Sequence, residues 1–171
     1  MLDLIIKGGD VVTPWGVGNW DVAIQGEKIV AIAAPGTLND DVGRTIDATG
    51  KIVVPGGIEP HAHIAAPIMG PGNLKTAPPE QVSRAALFGG TTTLMDFAIQ
   101  YPGIDINQAI QERTSVWQGK SYADYAHHLM LLGELSTATL ESLHEHIEDG
   151  FSSVKIFTTN IRPPELSGEP R

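Results

Sequence analysis

Cysteine is absent from the 171-residue chain. That excludes a disulfide framework and a thiolate metal site, so any metal must sit on histidine, carboxylate or modified lysine. Basic residues are few: 11 Lys and Arg stand against 20 Asp and Glu, a net charge of −9, and no Lys/Arg cluster stands out. Binding to nucleic-acid phosphates or to an anionic membrane surface is therefore not expected. Long apolar runs are also missing, since the longest stretches fall well short of the roughly 20 residues that cross a bilayer. The opening Met1-Leu2-Asp3-Leu4 has no basic segment followed by an apolar run. No signal peptide is expected, and a cytoplasmic location follows by default. What is present, 42% hydrophobic and 18% charged residues, is the composition of an ordinary globular protein rather than a disordered one.

Residues 1–54 read as short strands separated by turns: Leu2 to Ile6, ending at Gly8-Gly9, then Asp10 to Thr13, Asp21 to Gln25, Lys28 to Ala33, Thr45 to Asp47 and Lys51 to Val54. Gly26-Glu27 is a tight hairpin signal, and the mostly alternating pattern predicts a small, half-buried all-β unit. After Pro55-Gly56-Gly57 the rhythm changes, with strands alternating with helical patterns. Pro78 to Phe88 is a helix with prolines in its first turn, where no amide donor is missed, and Gly89-Gly90 stops it. A strand follows over Thr91 to Phe97, then a helix over Asp105 to Trp117, where Asp105 and Gln108 suit a capping box. Ala126 to Leu132 is a strand, Thr137 to Asp149 a helix closed by Gly150, and Ser153 to Phe157 a strand. Strands separated by helices in this way mark a parallel α/β sheet or barrel. Gly70 to Pro79 is the one long loop candidate, and Pro163 to Arg171 is a polar tail.

The sharpest local feature is Pro55-Gly56-Gly57-Ile58-Glu59-Pro60-His61-Ala62-His63, just beyond the strand Lys51 to Val54. Histidines at i and i+2 in extended backbone point to one side, so both imidazoles can reach a single ion. The glycines allow a close turn at a strand's carboxyl end, the face that carries catalysis in α/β barrels. A bare His-x-His is also compatible with two surface histidines on a loop; the apolar strand and the Pro-Gly-Gly before it favour ligands.

Lys155 is a lone cation in the apolar run Ser153-Val154-Lys155-Ile156-Phe157. It is either an edge lysine whose stem snorkels to solvent, or an inward lysine whose charge must be neutralised or modified. A neutral amine that captures carbon dioxide becomes a carbamate, an anionic oxygen ligand able to bridge two metal ions. His127 and His128 are adjacent on a strand and face opposite sides, which gives them packing or ligand-supporting roles rather than one shared site. His144 and His146 lie about 200° apart on a helix and are expected to face solvent. Asp96, at a strand's carboxyl end, suits either a residue that orients a ligand or a helix cap or loop hydrogen bond.

Together these features resemble the amidohydrolase superfamily, and within it the cyclic amidohydrolases, the group of dihydropyrimidinases and hydantoinases. Leu4-Ile5-Ile6-Lys7-Gly8-Gly9 with Val11-Val12 is similar to that group's first β-hairpin. The stretch Ile46 to Ile58, followed by His61-Ala62-His63, resembles the approach to its first barrel strand. Gly89-Gly90-Thr91-Thr92-Thr93 with Asp96-Phe97 resembles the second, Asp124-Tyr125-Ala126-His127-His128 the third, and Gly150 to Phe157 the fourth. The Asp-Phe ending is similar to dihydropyrimidinases and hydantoinases, whereas allantoinases and dihydroorotases usually read Asp-Met-Pro. The match runs over residues 1–160.

The resemblance implies the first half of a (β/α)8 TIM-type barrel, residues 55–171, preceded by the N-terminal part of a small β-sandwich lobe, residues 1–54. Such a barrel typically takes about 250 residues. The chain is thus expected to be an N-terminal portion, active only with the remaining half. The resemblance also implies two divalent metal ions, usually zinc, with His61 and His63 holding the more buried ion. Lys155, carboxylated by carbon dioxide, would bridge the pair. A hydroxide held between the ions would open a cyclic amide or ureide ring of the hydantoin or dihydropyrimidine type, and the group is commonly tetrameric. The two further histidines and the aspartate that the group draws from later strands have no counterpart here. Where dihydropyrimidinases carry a tyrosine five residues after the bridging lysine, this chain has Asn160, an amide of different reach that is the candidate substrate contact. Two other readings are an allantoinase or dihydroorotase-type enzyme, and a non-catalytic assembly protein like the dihydropyrimidinase-related proteins of neurons. The latter typically lose metal ligands that this sequence keeps.

Overall fold

The computed structural model describes residues 2–38, 42–68, 72–132 and 136–158. The chain divides into two compact units, Met1–Pro55 and Gly56–Arg171.

In the first unit β1 (Leu2–Thr13) is the organising strand. It pairs antiparallel with β2 (Gly16–Gln25), and parallel with β4 (Val42–Asp47) and β5 (Ile52–Val53); β3 (Lys28–Ala33) pairs antiparallel with β2. The strand order is β3-β2-β1-β4, with β5 also on β1. The sequence splits residues 2–13 into two strands at Gly8-Gly9, but the structure keeps one, because the glycines form a bulge where the register with β2 shifts between Ile6 and Gly9. Gly8 has a φ of +74°, and a side chain at Gly9 would meet Val53 Cγ2 at 2.7 Å, so the bulge requires glycine without ending the strand. The carboxylate of Asp21, 2% exposed, accepts the Gly8 amide at 3.3 Å and the Gly36 amide at 2.9 Å. The hairpin expected at Gly26-Glu27 joins Gln25 to its partner Lys28, with Gly26 at φ +60°.

The second unit is a parallel α/β half-barrel. Its strands are β6 (Gly57–Glu59), β7 (Thr91–Gln100), β8 (Asp124–Leu131) and β9 (Val154–Lys155), in the order β6-β7-β8-β9. All neighbouring pairs run parallel. Helices α1 (Pro79–Phe88), α2 (Ile106–Trp117) and α3 (Thr137–Glu148) form the crossovers. Residues 52–53 pair with β1, in keeping with the placing of Lys51 to Val54 in the all-β unit. The strand before the histidines, β6, is one the sequence reading lacked, and Gly56 lets it form, since a Cβ there would fall 2.0 Å from Thr92 Oγ1 and no larger residue lets β6 approach β7.

The helix starts follow local chemistry. Asp105 accepts the Gln108 amide at 2.7 Å, but the Gln108 side chain turns to Glu112 at 2.8 Å, so the expected capping box is made in one direction only. Ser136 caps α3 by accepting the Thr139 amide at 3.1 Å. Ser83 of α1, fully buried, donates to the Pro79 carbonyl and accepts the Tyr122 amide, tying α1 to the loop before β8. Two apolar clusters join strands to helices: Ala98, Ile106, Leu129 and Leu131, and Ile64, Leu94 and Trp117. Among the described residues no helix is long and apolar enough to cross a membrane.

Candidate active site

Four neighbouring parallel strands send side chains to one face of the half-barrel near their carboxyl ends. His61 and His63 follow β6 in extended backbone, and their ring centroids lie 5.2 Å apart, as the i, i+2 spacing predicts. Both rest on Phe97 of β7: His61 meets it edge-on at 4.8 Å, and His63 stacks on it at 4.7 Å and 19°. Lys155, the last residue of β9, places Nζ 3.3 Å from His61 Nε2 and 4.3 Å from the Phe97 ring centroid. Residues 94 positions apart thus meet over one aromatic floor. Among the described residues β9 is the edge strand of the sheet, and the half-buried Lys155 turns its amine from there toward the histidines, so its setting carries features of both readings.

The His61-Ala62-His63 backbone is held from several sides. Glu59 Oε1 accepts the His61 amide at 2.9 Å, and the Met95 carbonyl accepts the Ala62 amide at 2.9 Å. The Pro60 carbonyl lies 2.8 Å from His128 Nε2, and the Ile64 carbonyl accepts from the Arg113 guanidinium. His63 titrates below the usual imidazole range, first through burial and then through the neighbouring positive charges of Lys155 and His61. It therefore keeps a free lone pair at neutral pH.

No family model matches the chain. The D-hydantoinase of Geobacillus stearothermophilus is 38% identical over 154 residues, covering 90% of this chain and 32% of its own length. An allantoinase of Salmonella choleraesuis is 35% identical over 156 residues, covering 91% and 32%. The crystal structure of dihydropyrimidinase from Brevibacillus agri superposes with a TM-score of 0.83 at 34% identity, over 95% of this chain and 34% of its own. The D-hydantoinase of a Bacillus species, AR9, also gives 0.83, at 37% identity over 94% of this chain and 34% of its own.

Over the span they share, the chain is similar to the cyclic amidohydrolases named D-hydantoinase, dihydropyrimidinase and allantoinase.

It spans about a third of the length of the curated relatives it matches. In this segment the donor set suits a metal and also constrains it. Two imidazoles and a lysine nitrogen converge, yet among the described residues no group of three or more His, Cys, Asp or Glu gathers. A third ligand from these residues has to be Lys155, and an ammonium has no lone pair to give, so the lysine would serve only in a deprotonated or modified form. Beside His63 a cleft of about 310 Å³ is lined by Lys75, Phe97, Tyr101 and Arg113 among others. A larger depression over Arg84, Phe88 and Tyr122 holds none of the histidines. Asn160, the candidate substrate contact, lies outside the described residues.

The remaining candidates divide by strand parity. Asp96, 1% exposed, points away from His61 and His63 toward α2, where it pairs with Arg113 and accepts the Trp117 indole N–H at 2.8 Å. It acts on the site through Arg113, which holds the carbonyl next to His63, and through its own charge, which opposes the lowering of the His63 pKa. His127 and His128 do face opposite sides. His127 packs by Trp117 and Tyr125, and both its ring nitrogens are buried without a hydrogen-bond partner. Burial, with the Arg113 charge adding and Asp96 opposing, pushes its pKa down to about 4. His128 lies on the site's side, 5.1 Å from Phe97. His144 is exposed and sits 3.4 Å from Glu148, whereas His146 is only 4% exposed, a correction to the expectation that both face solvent. Positions 200° apart on an amphipathic helix cannot both look outward. Phe97, Arg113 and Ser153 carried no role in the sequence reading, although the parity of β7 around Asp96 places Phe97 on the histidine side.

Proposed function

We propose that the protein hydrolyses a cyclic amide or ureide ring of the hydantoin or dihydropyrimidine type with two divalent metal ions, zinc by preference. The observation that carries this is the meeting of His61, His63 and Lys155 over Phe97 at the carboxyl ends of a parallel half-barrel, in a chain whose relatives are named D-hydantoinase and allantoinase. His61 and His63 would each offer an imidazole nitrogen as a ligand. Lys155 would act as a carbamate: its neutral amine bonds to the carbon of carbon dioxide, a proton leaves, and the product presents two oxygens that share one negative charge. When bound, the ions supply Lewis acidity at the ring carbonyl and lower the pKa of water. Phe97 closes the floor against bulk solvent, and the cleft beside His63 has the size of a small-molecule site. Hydrolysis of one ring C–N bond adds water across it and yields an N-carbamoyl amino acid from a hydantoin.

Activity needs the later-strand ligands that these residues lack, so metal analysis of a polypeptide that joins this segment to them should find about two divalent ions per subunit, in line with bridged two-metal hydrolytic sites. Hydantoin or dihydrouracil should be opened, and His61→Ala or Lys155→Ala should abolish turnover. Retained activity in either variant would refute the assignment. A second reading, with allantoin as the ring, is favoured by the allantoinase at 35% identity, so the same assay run on allantoin ranks the substrates. Asn160 is assigned a substrate contact on its position after Lys155, and Asn160→Ala should raise KM more than it lowers kcat. A homotetramer is the proposed assembly, checked by sedimentation.

A further inference from the structure

We propose that His128 is a positioning residue that ties the His61–His63 segment to the strand bearing Lys155. This rests on the reading of those three residues as the metal-holding set. His128 stands on β8, between the strands it joins. Its Nε2 lies 2.8 Å from the carbonyl of Pro60, the residue before His61, and its Nδ1 lies 2.5 Å from Ser153 Oγ, on the residue just ahead of β9 and two before Lys155. One ring thereby links positions 68 residues upstream and 25 residues downstream of itself.

The chemistry of the partners assigns the tautomer. A carbonyl oxygen only accepts, so Nε2 carries the hydrogen; in the neutral ring Nδ1 is then the acceptor, and the Ser153 hydroxyl donates to it. The direction is relayed from Ser153 O–H to Nδ1, and from Nε2–H to the Pro60 carbonyl. Backbone pairing alone defines these two ends weakly: β6 has three residues, and β9 is joined to β8 through two register pairs, Leu129 with Val154 and Met130 with Lys155. The separation of His61 Nε2 from Lys155 Nζ, 3.3 Å, is set by the placement of both short strands. Phe97 packs against both ends, and His128, 5.1 Å from the Phe97 ring, adds polar ties to the residue after β6 and the residue before β9.

The experiment uses the full chain, stripped of metal with a chelator and titrated with Zn2+ against a chromophoric competitor, with urea unfolding as the control for folding. His128→Phe keeps a ring on Phe97 and removes both nitrogens, and it should weaken Zn2+ binding by about 10–100-fold, as loss of a ligand-supporting hydrogen bond does. Ser153→Ala should weaken it in the same direction, and Ser153→Thr, which keeps the hydroxyl, should restore wild-type affinity. A folded His128→Phe protein with unchanged Zn2+ affinity overturns the inference, while loss of Zn2+ binding in His61→Ala would still uphold the metal reading. If His128→Phe does not fold, equal affinities for Ser153→Ala and Ser153→Thr overturn it instead. If the wild-type chain binds no Zn2+, the metal reading fails, and the 15N spectrum of the histidines decides the tie alone. An Nε2–H tautomer at His128 supports it, and an Nδ1–H tautomer overturns it.

Discussion

Replacing Asp96 by asparagine keeps the size and shape of the side chain and removes its charge. The consequence can be worked from its surroundings. The Asp96 side chain is 2% exposed and that of Arg113 13%, so water screens the pair poorly. Asp96 accepts the Trp117 indole on Oδ2 and the Phe97 amide on Oδ1, each at 2.8 Å, and asparagine has one carbonyl oxygen, so it could keep only one of the two bonds. Arg113 would be left as a mostly buried cation facing only the Ile64 carbonyl and a neutral amide. Breaking one side of a buried pair costs about 3–5 kcal/mol; the residual exposure of Arg113 lowers the expectation and the hydrogen bond lost at residue 96 raises it, which puts it at about 4 kcal/mol. Arg113→Met should cost a similar amount, because it strands the carboxylate. The double variant removes both charges and should lose well under the sum of the two, a coupling of at least about 1–2 kcal/mol. Urea unfolding of the full chain, single variants and double variant, gives the cycle. Additive losses within about 0.5 kcal/mol would refute the claim that the two charges depend on one another. Zn2+ affinity measured on the same proteins would then report whether the grip on the Ile64 carbonyl reaches His63.

His127 titrates near 4 in the folded chain against an ordinary 6.5, so the folded state binds fewer protons. Stability is full above about pH 6.5, falls as the unfolded chain protonates between pH 6.5 and 4, and flattens below, with about 3 kcal/mol at stake; His127→Leu should flatten the dependence in urea titrations at several pH values. Gly56→Ala puts a methyl 2.0 Å from Thr92 Oγ1, and should cost about 1–3 kcal/mol or more, with partial recovery on adding Thr92→Ala. Loss of the α2 cap in Asp105→Ala should cost about 1 kcal/mol, read as a lower urea midpoint at constant slope.

Much of the architecture was legible along the chain because it rests on short-range chemistry. Two-residue alternation and a Gly-Glu hairpin marked the first unit; Pro at a helix start, Asp105 as a cap and Gly at helix ends marked the three helices. The His-x-His spacing and a cation in an apolar strand singled out His61, His63 and Lys155 for the same reason. Boundaries failed where a glycine serves a tertiary purpose. Gly8 and Gly9 read as a stop and are a bulge, and Gly56 read as a turn within the site and is a close contact with Thr92. His146 failed because helix geometry leaves open which side of α3 is covered.

The sequence by itself therefore determined the order of strands and helices, the two imidazoles on one side of one strand, and the residue types available to hold an ion. The meeting of Lys155 with His61, the Phe97 floor, the turning of Asp96 away toward Arg113, and the tie through His128 were decided by tertiary structure alone. Each depends on parallel register between strands separated by whole helices, and no local periodicity encodes the register of one strand against another.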